Sequence, residues 1–227
     1  LVPVLYGGFV TQTGPNWNII ITRPGVSPIH NLAESGVEYL ASNNRISIDD
    51  KPIHRAIILS VLRSGPSGLV EISRYLREHK LDNVFFMVDQ FEEIFRFHEN
   101  VSEDAAFNEA QEYVNLFLTA INQQDIPIYT AITMRSDFIA SCSVFQGLTL
   151  EINKSNYLVP QMSREQKKMV IEGPVAVGGG RISQRLVKKL LGDMGKNQDQ
   201  LPILQHALMR TWDYWVHNHE ESEPMDL

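Results

Sequence analysis

Val84-Phe85-Phe86-Met87-Val88-Asp89-Gln90-Phe91-Glu92-Glu93 begins with five apolar residues, ends that run in one carboxylate, and delivers two more three and four residues later. An uninterrupted apolar run of this length is the mark of a strand covered on both faces, which is the environment of a parallel sheet. Two further β-rich runs flank it at a distance, Trp17 to Thr22, closed by Arg23-Pro24-Gly25, and Ile126 to Met134, closed by Arg135-Ser136-Asp137-Phe138. Between the strands the apolar residues take helical spacing, predicting helices over 28–42, 52–63, 67–79 and from Ser102 to about Asn122. Strand alternating with helix favours a parallel sheet, whose ligands sit beyond the carboxyl ends of the strands. Asp89 and Arg135 both fall at such ends.

The pattern changes after an apolar piece around Leu148 to Ile152, and the expected division is 1–154 for an α/β core and 155–227 for a helical part. Ser163-Arg164-Glu165-Gln166 reads as a capping box opening a helix that ends at Gly173-Pro174. Arg181 to Leu191 and Pro202 to Val216 follow as amphipathic helices, the second with Pro at an early position.

With 227 residues, 43% apolar and 21% charged, the chain has the makeup of a globular protein large enough for two cores. Its formal charge of -7 argues against a broad nucleic-acid footprint, which needs many Lys and Arg. A single Cys142 leaves neither an internal disulfide framework nor a zinc cluster, so a reducing, cytoplasmic setting is expected. No apolar run reaches the roughly 18 to 20 residues of a membrane span. The start at Leu1, inside apolar sequence, fits a chain cut from a longer one.

A carboxylate fixed at a strand end, as Asp89 is, can hold magnesium through its water shell, while Glu92 or Glu93 can orient the attacking water in nucleotide hydrolysis. The structural alternative makes Asp89 the cap of the next helix and the two Glu its solvated first turn. Arg135 can meet a terminal phosphate or pair with Asp137 or Asp89. Pro202 can press on an adenine face or simply open a helix. Gly7-Gly8, Gly65-Pro66-Ser67-Gly68 and Gly178-Gly179-Gly180 all lack the Lys-Ser or Lys-Thr of a phosphate-binding loop and read as turns. The seven His form no H-E-x-x-H, and no Ser sits in G-x-S-x-G.

Five pieces in order carry a family resemblance. They are Trp17 with Arg23-Pro24-Gly25, Val88-Asp89-Gln90-Phe91-Glu92-Glu93, Met134-Arg135-Ser136-Asp137-Phe138, Ile171-Glu172-Gly173-Pro174, and Leu201-Pro202-Ile203-Leu204-Gln205-His206-Ala207-Leu208. Together they resemble the novel STAND NTPase family, AAA-like P-loop signalling ATPases often found with WD repeats in multidomain bacterial proteins. The resemblance implies ATP and Mg2+ as cofactors, Asp89 as the Walker B carboxylate, Arg135 as the sensor arginine, Pro202 against adenine and residues 155–227 as a helical lid. It implies an ATP/ADP switch whose partners are nucleotide, neighbouring domains and other copies. Gln90 departs from the Asp-Glu pair of many such ATPases, which leaves the water-orienting role to Glu93 or Glu92. In the family a G-K-S-S loop precedes L-V and an apolar helix, so residues 1–10 are expected to be the remnant of that helix, and the chain as given to lack hydrolysis. The alternative is a non-catalytic interaction scaffold.

Overall fold

The computed structural model describes Leu5 and residues 16–79, 82–95, 103–194, 201–218 and 223–226. Two compact units divide the chain, residues 1–156 and 157–227.

The first unit is α/β. Strands β1 (Trp17–Thr22), β2 (Asn83–Val88) and β3 (Ile128–Ile132) form a parallel sheet in the order β1-β2-β3. Ile20 lies opposite Phe86, and Val88 opposite Ile132, so the strand ends that carry Arg23, Asp89 and Thr133 come side by side. Between β1 and β2 run helices α1 (Pro28–Ser42), α2 (Lys51–Leu62) and α3 (Gly68–Leu76). Between β2 and β3 run a 3-10 turn, Phe91–Phe95, and the long helix α4 (Glu103–Asn122). Ser102, the expected cap of α4, lies outside the described residues. After β3 come two 3-10 segments, Ser136–Phe138 and Ala140–Val144, and helix α5 (Gln146–Lys154).

Alternation along the strands builds two cores. Ile20, Phe86 and Val88 join the main core with Leu32 and Val37 of α1, Leu69 of α3 and Tyr113 and Phe117 of α4. Phe86 meets Phe117 edge-on at 5.9 Å, a favoured aromatic geometry. Ile19 and Phe85 turn to the opposite face, where Leu5 packs on them. Helix α3 stops three residues before the expected end, because the Arg45 guanidinium takes the carbonyl of Leu76 and, at 3.2 Å, that of Tyr75. A cation on the last carbonyls satisfies them and the helix dipole together. Strand β3 is shorter than its β-rich sequence, and the apolar piece at 148–152 lies within a helix whose Leu148 is buried.

The second unit is helical, with α6 (Arg164–Val177), α7 (Gln184–Asp193) and α8 (Leu201–Asn218). The capping box forms as read, Ser163 Oγ accepting from the Gln166 amide at 3.2 Å and Gln166 Oε1 from the Ser163 amide at 2.8 Å. Helix α6 does not end at Gly173-Pro174 but runs a further turn to Val177. Val175 and Ile171 are both buried in the small cores of this unit, and their burial outweighs the backbone bond that Pro174 removes. The glycines that follow make room for an indole: a Cβ on Gly178 or Gly180 would come within 2.6 or 2.7 Å of the Trp212 ring. Gly7-Gly8 lies outside the described residues. Among the described residues no helix is long and apolar enough to cross a membrane.

Candidate functional site

The chain turns sharply at the end of β2, and Thr133 at the end of β3 holds that turn. Thr133 donates its amide to the Val88 carbonyl at 2.9 Å and accepts the Phe91 amide on its own carbonyl at 3.0 Å. Its hydroxyl accepts the Gln90 amide at 3.2 Å and donates to Asp89 Oδ1 at 2.7 Å. Between these bonds Gln90 sits at φ +57, a left-handed conformation that costs a side-chain-bearing residue energy and persists only when its surroundings enforce it.

Asp89 is thereby fixed at the strand end, its amide donating to the Thr22 carbonyl of β1 at 2.8 Å. Its second oxygen, Oδ2, accepts from Arg23 Nε at 2.9 Å and lies 2.7 Å from Arg23 Nη2. The Thr133 hydroxyl above all, helped by the Arg23 guanidinium, holds the Asp89 carboxyl below its ordinary range against the opposing effect of burial. The group is an anion at any neutral pH.

The Arg23-Pro24-Gly25 turn is tied to the Asp89 segment a second time. Gly25 donates its amide to Glu93 Oε2 at 2.9 Å, and the Pro24 carbonyl accepts from Asn31 Nδ2 at 2.8 Å. Gly25 has φ +55, and a Cβ there would lie 2.6 Å from Asn31 Nδ2, so both conformation and space require glycine. Two motifs read separately in the sequence are thus one structure, with arginine on aspartate and glycine on glutamate.

The other expected site residues are placed as follows. Arg135 pairs with Asp137 through Nε at 3.1 Å and Nη2 at 3.0 Å. Glu92 is not solvated but 6% exposed, and its buried Oε2 has no hydrogen-bond partner among the described residues. Pro202 occupies the second position of α8, in the other unit. Sequence reading did not single out Arg23 as a partner of Asp89, nor Thr133 at all. The only signal for Thr133 is a hydroxyl two residues ahead of Arg135.

The sequence model of the novel STAND NTPase 1 family matches residues 1–224, the span that contains both joined motifs. The chain belongs to the novel STAND NTPase 1 family. No curated protein and no solved structure matches it. As a STAND NTPase it stands in a class that uses nucleotide with magnesium, and its Asp89 environment can be tested for fit to that group. A magnesium ion here would be held through the Asp89 carboxylate and water, hard oxygen ligands of the kind it takes. That is how magnesium is usually held beside a nucleotide, and the Asp89 carboxylate, charged and rigid, fits it.

Proposed function

We propose that this STAND NTPase chain is the nucleotide-dependent switch module of a signalling ATPase, with an AAA-like core over residues 1–154 and a helical lid over 155–227. The observation that carries this reading is the Asp89 cluster, in which a charged carboxylate at a strand end is locked by Thr133 and covered by an arginine. Three parallel strands ending together at that point agree with ligand binding beyond their carboxyl ends.

Asp89 would hold magnesium bound with ATP, and the ion would supply positive charge to the phosphates. The role of Asp89 is to fix the ion's water shell, which its rigid Oδ1 anchor on Thr133 favours. Arg23 must yield Oδ2 for this, and its side chain is 61% exposed. Arg135 and Asp137 are similarly exposed, and pairs of this kind contribute at most about 1 kcal/mol. The Arg23 guanidinium is therefore cheap to redirect to phosphate, and Arg135 would act as the sensor. Glu93 keeps its Oε1 free of Gly25 and is the preferred residue for orienting water, with Glu92 buried beneath it as the alternative. Pro202 would lie on the adenine face when the lid is engaged.

ATP and ADP would favour different states of core and lid, and hence different self-association or contact with neighbouring domains. One observation favours a second reading, a scaffold without catalysis: both Asp89 oxygens are already satisfied by protein groups. Sedimentation of the full-length protein with magnesium-ATP and with magnesium-ADP separates the two. The switch gives a different species in each nucleotide. The same sedimentation profile in both supports the scaffold.

A further inference from the structure

Arg135 lies two residues beyond Thr133, where the ladder between β2 and β3 closes. The Thr133 amide donates to the Val88 carbonyl and the Phe91 amide to the Thr133 carbonyl, which ties the two strand ends together. From there the chain runs extended through Arg135, at φ -68 and ψ 138, into a 3-10 turn in which the Arg135 carbonyl accepts the Phe138 amide at 3.1 Å. Hydrogen bonds thus secure the segment on the Thr133 side of Arg135, and ring packing secures it on the other.

Phe138 stacks on Phe95, the last residue of the 3-10 turn that follows Asp89, with centroids 6.2 Å apart and planes 14° from parallel. That separation falls in the range where aromatic pairs attract beyond their buried area. Phe95 is itself wedged, meeting Phe91 edge-on at 6.2 Å and Phe145 at 6.0 Å, and both of those rings are 2% exposed. The support for Phe138 is therefore rooted in the main core and in the turn that carries Glu93. In addition, the buried Cys142 thiol lies 3.7 Å from Met134 Sδ and 3.7 Å from the Phe138 carbonyl, one contact on each side of Arg135.

Both flanks of Arg135 are thus fixed to the Asp89 segment, Thr133 by hydrogen bonds and Phe138 by a ring. The consequence is functional, because a displacement of about 1 Å at a reacting group can cost about a hundredfold in rate. Core filling does not require the arrangement, since Phe138 is only half-buried and an aliphatic side chain of similar volume fills space as well.

We propose that Phe138, seated on Phe95, is a positioning residue for Arg135, fixing the arginine's backbone relative to Asp89 so that the guanidinium meets the terminal phosphate. This rests on the reading of Arg135 as the sensor arginine.

Two measurements test it. In the isotope-labelled chain, amide order parameters of Met134 to Asp137 should fall from about 0.85 toward 0.6 in Phe138→Leu and stay at wild-type values in Phe138→Tyr, which keeps the stacked ring. Phe95→Leu, which removes the support instead, should act as Phe138→Leu does. Unchanged amide resonances outside residues 91–95 and 134–145 would establish that the variants are folded. In the full-length protein, Phe138→Leu should lower kcat for ATP hydrolysis about tenfold with KM unchanged, and Phe138→Tyr should turn over as wild type. In the Arg135→Ala background Phe138→Leu should cause no further loss. Order parameters unmoved by Phe138→Leu and Phe95→Leu would overturn the proposal, and so would a full further loss from Phe138→Leu in the Arg135→Ala background. Turnover that Arg135→Ala leaves intact would overturn the sensor reading instead, and the order parameters would still decide whether Phe138 holds the arginine in place.

Discussion

Arg23 Nη2 lies 2.7 Å from Asp89 Oδ2, while Asp89 Oδ1 takes the Thr133 hydroxyl at the same distance. The carboxylate at the centre of the site is thus divided between an exposed cation and a fixed hydroxyl. Thr133 belongs to a turn braced by four hydrogen bonds, whereas Arg23 reaches in from an exposed loop. Thr133→Val and Arg23→Gln should therefore each raise the Asp89 pKa toward its ordinary value of 3.8. Carboxyl carbon titration by NMR of wild type and the two variants checks this, and a pKa unmoved by either substitution would contradict it.

Acid stability follows from the same contacts. The folded-state pKa of Asp89 is depressed, so its bonds stabilise the fold above the ordinary value and are lost as pH falls through the lowered one. Asp89→Asn should lose less stability than wild type as pH is taken from about 5 to 2. Urea unfolding at several pH values reads this slope, and parallel curves for the two proteins would contradict it.

Glu92 is buried, and one of its oxygens has no partner among the described residues, a state that costs free energy. Glu92→Gln should leave thermal stability unchanged or raise it by about 1 kcal/mol, a few degrees in melting temperature. A loss of more than that would mean that the carboxylate has a structural partner.

Two glycines should respond in opposite directions. A Cβ on Gly68 would meet the Val61 carbonyl at 2.4 Å and Leu62 Cα at 2.9 Å, backbone atoms that cannot swing aside. Gly68→Ala should cost about 1–3 kcal/mol. Gly173 lies inside α6 with nothing within 4 Å of such a Cβ, so Gly173→Ala should stabilise by up to about 1 kcal/mol. Denaturant midpoints of the two units measure both.

Cys142 is 1% exposed, and burial pushes its thiol up to about 11. It should react with a thiol reagent at neutral pH only as the first unit unfolds. Prompt labelling of the native chain would show that this part of the core opens.

Strand β2 was legible because its apolar run is uninterrupted, β1 because its β-branched residues are closed by Arg23-Pro24-Gly25, and the helices because amphipathic spacing survives in α1, α2 and α4. Boundaries failed where a tertiary contact overrode local preference: Arg45 ends α3 early, and burial of Val175 carries α6 past Pro174. The site was legible only as separate motifs. Arg23 meets Asp89 across 66 residues and Thr133 meets it across 44, and a single sequence carries no signal for such pairings. The solvated position open to Glu92 as a first-turn residue gave way to burial because Phe91 and Ile94, on either side, are drawn into the core.

In the proposed switch Asp89 mediates magnesium-dependent nucleotide binding. Calorimetric titration of the full-length protein with ATP, with and without magnesium, for wild type and Asp89→Ala tests it most directly. Magnesium should tighten ATP binding by wild type by about tenfold or more and leave the Asp89→Ala affinity unchanged. An equal gain from magnesium in both proteins would contradict it.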